Sequence, residues 1–353
     1  MNQIDYISKQ NMVLDEHWIK ILSVKGNIKT YSETTFQAVL SCGKIIKGEI
    51  IKARDNDTRR LFDKKTNILE EHHYKSDGSP DYKYVYEYDS RGNQTEINYY
   101  NPFDNIKHKF ILIYDDKDNE IERTLLLSER TIGFKMLFKY DDNGNRIEHI
   151  RLKPDGTLYQ KIIYKYNSSG NETEKCIFNQ DGFLKLKRKY DYDEKGKLRC
   201  ENNSEPNGCL NFEIIYNYNE KGNPSDSQHY KLDGKLVESY IYRYDEHDNA
   251  VELIWSHSDG SYYKANYKYD ERGNEIESCL FDSPINGNIV ERFTYVYSDS
   301  GYIIESNHFV FTGNQIDKYT TNFEYDRIGN CIKSIRLEND IPQDLLEIEI
   351  EYD

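Results

Sequence analysis

The chain has 353 residues, a formal charge of −15, 31% charged and only 37% hydrophobic residues, and 32 Tyr against 3 Met, 2 Trp and 7 Pro. Phosphate-backbone binding runs on Lys and Arg releasing counterions, so this acidic balance argues against nucleic acid as a partner, and against anionic membrane surfaces. It leaves a basic protein partner, steered in by charge, or a charge that merely keeps a thin, wet sheet soluble.

Residues 1–55 carry no repeat. They are expected to form an N-terminal cap, with Trp18, Ile19, Ile21 and Leu22 covering the first edge strand. The first residues hold charge and no apolar h-region, so no secretory signal is visible. A cytoplasmic protein is expected, with signal-independent export as the alternative. No stretch approaches the roughly 18 apolar residues of a membrane-spanning helix. Lys44 to Lys65, with Lys47, Lys52, Arg54, Arg59 and Arg60, is a basic cluster that reads either as a docking patch or as a solvated linker.

From residue 56 to 353 the chain repeats itself. The segment Tyr267-Lys-Tyr-Asp-Glu-Arg-Gly-Asn-Glu-Ile-Glu277 recurs. Its second tyrosine slot holds Tyr88, Tyr114, Tyr140, Tyr166, Tyr192, Tyr218, Tyr244, Tyr269, Tyr297, Tyr325 and Tyr352. Six intervals of 26 residues are followed by 25, 28, 28 and 27. A worn copy precedes them at Phe62-Asp63, with Asn67 in the Asn slot. The glycine slot holds Gly92, Gly144, Gly170, Gly196, Gly222 and Gly273, where a left-handed backbone is expected. Midway between tyrosine pairs lies a second turn signal: Asp77-Gly78, Asp155-Gly156, Asp181-Gly182, Asn207-Gly208, Asp233-Gly234 and Asp259-Gly260. These predict two-residue type I′ hairpin turns.

Between turns, side chains alternate with period 2. Tyr82, Tyr84, Tyr86 and Tyr88 share one face, as do Leu210, Phe212, Ile214, Tyr216 and Tyr218. The far half of each return strand is apolar on both faces. Each unit is therefore a hairpin that depends on its neighbours. The predicted fold is all-β: tandem antiparallel hairpins of ~26 residues forming a long sheet, coiled into an open spiral or partial shell because strands twist with a fixed hand. The last strand, Leu345 to Tyr352, carries Glu347, Glu349 and Glu351, which read as charges guarding an open edge.

The pattern Tyr-x-Tyr-Asp-x-x-Gly-Asn-x-x-Glu, at Tyr86 to Glu96 and Tyr267 to Glu277, resembles the YD-repeat or RHS-repeat family over residues 62 to 353. In large members the repeats spiral into a hollow shell around a toxin, and the resemblance implies that fold here. The chain departs from those members: it has no Asp-Pro-x-Gly core signature, no toxin domain follows residue 353, and the array is short. It looks like a stand-alone fragment of that architecture. The Asp-Gly half-repeats are loosely similar to short MORN-like tandem-repeat antitoxins.

No residue set announces chemistry. The Glu slot (Glu96, Glu122, Glu148, Glu174, Glu252, Glu277 and Glu305, with Asp226) recurs on alternate strands about 9.6 Å apart, near the spacing of an inverting carboxylate pair, yet nothing singles out one pair. These Glu are expected to bond Tyr hydroxyls or turn amides. His72 and His73 face opposite sides of a strand and cannot clasp one metal together. Asp115 to Asp118 lacks the rest of a calcium loop. Cys42, Cys176, Cys200, Cys209, Cys279 and Cys331 form no CxxC pair, and reduced structural thiols are expected. No catalytic residue, metal site or cofactor is assigned. The leading expectation is a non-enzymatic, protein-binding scaffold, an immunity- or antitoxin-like partner of a bacterial and possibly basic toxin. The alternatives are an RHS-like shell fragment or carrier enclosing a polypeptide, and a glycan-binding module using tyrosine platforms.

Overall fold

The computed structural model describes residues 24–51, 57–75, 77–128, 131–205, 210–231, 233–283 and 287–353. Trp18, Ile19, Ile21, Leu22, Lys52, Arg54, Cys209 and the Asn207-Gly208 turn lie outside them. Twenty-five strands and no helix occur among the described residues, from β1 (Ile28–Ser41) to β25 (Ile341–Tyr352). The strand pairings described are antiparallel, and the chain divides into two compact units: residues 1–85, 101–103 and 293–353, and residues 86–100 and 104–292.

The second unit is a succession of hairpins. Its local rule is clear at β11 (Leu158–Tyr166), β12 (Glu172–Phe178) and β13 (Leu184–Tyr192). Lys165 faces Glu174 and Ile163 faces Cys176 on one side of the sheet. Tyr164 faces Lys175 and Ile162 faces Ile177 on the other. The β11–β12 register slips between Lys165 and Tyr166 and the β12–β13 register between Ile177 and Phe178, so each of these two strand pairs has one bulge, next to its turn. The same two slips recur at Lys268/Tyr269 and His229/Tyr230. A bulge bends its strand and raises local twist, so each repeat adds curvature.

The Asp-Gly turns differ from the expected two-residue type I′ form. In that form both central residues take positive φ, whereas here only the glycine does: Gly156 at 82° and Gly182 at 80°. The Lys153 N–H donates to the Thr157 carbonyl (2.8 Å) and the Gly156 N–H to the Lys153 carbonyl (3.0 Å). That is a type I turn closed by a glycine bulge. Asp155 holds it, because its carboxylate accepts from both the N–H (2.9 Å) and the hydroxyl (2.6 Å) of Thr157. The Tyr-Asp turns have the same hydrogen bonds: Asp141 N–H to the Asn145 carbonyl (2.9 Å) and Gly144 N–H to the Asp141 carbonyl (3.1 Å). Both turn rows are thus one loop type. Positive φ at both centres does occur at Cys42-Gly43 (49° and 75°) and Asn339-Asp340 (49° and 64°).

The first unit holds a buried apolar cluster. β1 lies between β25 on one side and, on the other, β3 (Asp57–Phe62) at residues 30–32 and β2 (Lys44–Ile50) at residues 36–41. Ile28, Tyr31, Ile303, Phe323, Cys331 and Ile348 pack together there, with Phe62 and Tyr325 against them. The last strand is therefore not the open edge that its glutamates suggested. Glu347, Glu349 and Glu351 lie opposite Thr34, Ser32 and Thr30 of β1. Lys47 reaches Glu347 at 2.8 Å, and Lys29 reaches Glu351 at 2.7 Å.

Candidate functional site

The repeated polar side chains are the natural place to look for function, and in this fold each has a structural partner. At every well-formed Tyr-Asp turn the Asp carboxylate accepts backbone N–H groups. Asp141 Oδ1 accepts from Asn143 (3.0 Å) and Asn145 (2.8 Å), and Asp141 Oδ2 from the Asn145 side-chain amide (2.9 Å). The same set recurs at Asp89, Asp115, Asp245 and Asp270. These bonds hold the charged form and keep each of those carboxyls below its ordinary pKa. The glycine slot is left-handed at Gly92, Gly144, Gly170, Gly196, Gly222 and Gly273. Asp118 (64°), Asp248 (67°) and Thr66 (65°) fill it in three repeats, the first two being a residue type that tolerates that region.

In eight repeats the second tyrosine of the pair reaches back to the preceding Tyr-Asp turn, 19 to 22 residues earlier. Its hydroxyl donates to the backbone carbonyl just after the preceding Asn slot. Tyr114 donates to Gln94 (2.9 Å), Tyr140 to Glu120 (2.9 Å), Tyr166 to Arg146 (2.9 Å), Tyr192 to Glu172 (2.7 Å), Tyr218 to Leu198 (2.8 Å), Tyr244 to Pro224 (2.9 Å), Tyr269 to Ala250 (2.9 Å) and Tyr325 to Ile303 (2.8 Å). Tyr88 and Tyr297 occupy the same slot at the ends of β5 (Pro80–Tyr88) and β21 (Ile289–Tyr297). Tyr352 breaks the pattern and donates to the Asp326 carboxylate.

The Glu slot corrects the expectation that glutamates would bond tyrosine hydroxyls. Glu148, Glu174, Glu252 and Glu277 are instead each clamped by cations from the strands on either side, while Glu96 and Glu122 take one lysine each, Lys109 and Lys135. Glu174 lies 2.8 Å from Lys165 and 2.7 Å from Lys187, and Glu148 lies 2.7 Å from Lys139 and 2.6 Å from Lys161. Glu252 sits between Arg243 and Lys264, and Glu277 between Lys268 and Arg292. Hydrogen bonds from the two lysines hold the Glu174 carboxyl down at about 2. One repeat inverts the pattern. Cys200 stands in the Glu slot opposite Asp191, with Glu213 Oε1 3.5 Å from its sulfur. Burial pushes the Cys200 thiol up to about 11.

The other singled-out residues are similarly engaged. His72 bonds Glu70 (2.7 Å), while His73 lies 3.1 Å from Glu71 and stacks on Tyr82, so the two point to different faces. Asp118 takes Arg91 (2.9 Å) and Asn93 (2.6 Å). Cys279 is buried and Cys176 is half-buried. In the basic cluster, Lys47 is held by Glu347, and Arg60 pairs with Glu71 (3.1 Å) beneath Tyr31. Among the described residues, no group of three or more His, Cys, Asp or Glu side chains is arranged to hold a metal.

No family model matches this chain, and no curated protein matches it. Among solved structures it is similar to TcdB2-TccC3, at 13% identity over 82% of this chain and a TM-score of 0.32, and to the Photorhabdus luminescens Tc holotoxin pore at the same values. It is also similar to a porin-like protein from Bacteroides uniformis, at 8% identity over 92% of this chain and 98% of that one, with a TM-score of 0.26. The chain spans about a fifth of the TcdB2-TccC3 chain it matches (20%).

Three features were not anticipated from the sequence. Asn330, 2% exposed, accepts the Lys25 N–H (2.6 Å) and donates to the Lys25 carbonyl (2.9 Å) and to the Tyr352 hydroxyl (2.6 Å). It is an ordinary Asn slot by sequence, and its partner is 305 residues away. Glu238, 4% exposed, lies 3.5 Å from His229 and 3.3 Å from His257, which flank it on neighbouring strands. A cavity of about 240 Å3 lies where β2 and β3 part company along β1, lined by Ser32, Glu33, Thr58, Arg59 and Tyr74 among others.

Proposed function

We propose that the chain is a non-enzymatic repeat scaffold of the shell type, an RHS-like wall that encloses or carries a polypeptide. The observation that supports this most is the pairing of β1 with β25 across nine residue pairs, Ile28↔Tyr352 to Gln37↔Asp344. A hairpin array that joins its first strand to its last leaves neither as a free end, as a wall requires. Two further observations agree. Successive strand pairs slip register beside their turns, and each such bulge bends the sheet. The repeat's Asp, Tyr and Glu side chains are engaged within the sheet, so whatever the sheet meets, it meets as an extended surface. On this reading the cargo is polypeptide, and neither nucleic acid nor an anionic membrane.

Small-angle scattering of the purified chain tests this. A wall around a solvent-filled or cargo-filled interior gives a distance distribution peaking beyond half the maximum dimension. A distribution peaking at short distances with a long tail, as an open strip gives, overturns the reading. A co-expressed unfolded polypeptide should also become resistant to protease only in the presence of the chain.

A further inference from the structure

We propose that β2 is a docking edge for a second copy of this chain, giving a two-fold dimer in which β2 pairs antiparallel with its counterpart around Ile46. Among the described residues β2 pairs with β1 alone. Among the described residues no strand lies against its other side, so the backbone N–H and C=O groups there offer a template for strand addition. The strand reads Lys-Ile-Ile-Lys-Gly-Glu-Ile, and its side chains are exposed apart from half-buried Ile45. Ile46 is 48% exposed, and its cross-strand neighbour Val39 is 36% exposed.

Backbone alternation chooses the register. The hairpin turns on Cys42-Gly43, so Ser41↔Lys44 is a hydrogen-bonded pair, and Val39↔Ile46 is the next of that kind. The main-chain groups of Lys44 and Ile46 thus point at β1, and those of Ile45 and Lys47 point outward. An antiparallel partner must place outward residues opposite outward residues. Three two-fold registers do so near the centre. One sets Lys47 against Lys47 of the second copy, a like-charge pair, which is destabilising. One sets Ile45 against Ile45 and leaves Ile46 beside Lys44 of the other copy. The third pairs Ile45 with Lys47 twice and places Ile46 against Ile46 on the axis. In a non-hydrogen-bonded pair the side chains come closest. Only this third register joins Val39 and Ile46 of both copies into one apolar stripe.

Lysines commonly guard sheet edges. Here Lys47 is withdrawn: its ammonium lies 2.8 Å from Glu347 and 4.8 Å from the centre of the Phe36 ring. It accordingly faces Ile45 of the second copy through its stem rather than its charge. Edge pairing over this few residues buries less than the ~1,200 Å2 of a standard interface, so the dimer is weak and concentration-dependent.

Two measurements on the full-length chain test this. In a Cys42→Ser background, Ile46→Cys should form a disulfide-linked dimer under mild oxidation. Lys44→Cys and Glu49→Cys, off the axis, should not. In sedimentation equilibrium the native chain should self-associate as concentration rises, and Ile46→Lys should weaken that association about tenfold or more. Ile46 is exposed, so the circular dichroism of this variant should match the native chain. A chain that stays monomeric at all concentrations, without cross-linking at position 46, overturns the proposal. So does a dimer indifferent to Ile46→Lys, since it would use another surface.

Discussion

Removing the side chain of Asn330 is expected to open the join between β1 and β25. Asn330→Ala deletes an acceptor for the Lys25 N–H and a donor to the Lys25 carbonyl and to Tyr352. Each buried polar group left without a partner costs about 1–3 kcal/mol. Lys25 lies near the surface, so water replaces part of what is lost, and a total of about 3 kcal/mol is expected. The control is Asn145→Ala. Asn145 occupies the same sequence slot, but its side chain is seen only donating to Asp141 of its own turn (2.9 Å). The cost there should be about 1 kcal/mol. Urea titration gives the two midpoints, and hydrogen exchange locates the damage. In Asn330→Ala the amides of β1 opposite Leu345 to Glu351 should exchange faster, with those of β11 to β13 unchanged. Equal destabilisation by the two substitutions, or unaltered protection in β1, would refute the idea that this asparagine holds the two ends together.

Four further outcomes are expected. Glu174→Gln should destabilise the chain at pH 6 and make little difference near pH 2. A carboxyl held at about 2 against an ordinary 4.5 stabilises the fold above the ordinary value and loses that contribution as the pH falls through its folded value. Cys200→Glu restores the repeat pattern yet should lower the urea midpoint, because Asp191 and Glu213 stand where lysines stand one repeat earlier. Adding Asp191→Lys and Glu213→Lys should reverse the loss. Tyr166→Phe should cost about 1 kcal/mol in urea unfolding by leaving the Arg146 carbonyl unbonded. Gly144→Val should cost more than that, since φ is +84° there and a β-branched residue does not tolerate it.

The hairpin unit was legible because its causes are local. A period-2 pattern, a turn Asp that caps its own backbone and a glycine with positive φ all lie within a few residues of one another. The turn type was misjudged at Asp155-Gly156, where the dipeptide fits two loops. In the loop adopted, the Thr157 N–H and hydroxyl donate to the Asp155 carboxylate. The Glu slot was seen, but its partners were not. Lys165 and Lys187 lie 9 residues before and 13 after Glu174, and that spacing gains meaning only once the strand register is known. The β1–β25 pairing was illegible for a different reason. Neither β1 nor Lys25 carries the repeat, and nothing local marks Asn330 off from Asn145. A contact across 305 residues leaves no short-range trace, and by the same token it should be among the last to form on folding.

The tyrosine hydroxyls reach a main-chain acceptor, and every residue type offers one. Because the acceptor lies at a fixed place in the preceding repeat, excising or duplicating a whole period at the DNA level would leave each remaining hydroxyl facing an equivalent oxygen, whatever side chain sits there. A one-residue change inside a strand would instead turn the rest of that strand's side chains to the opposite face unless a bulge absorbs it. Unequal crossing-over between sister copies would therefore lengthen or shorten the array in whole steps.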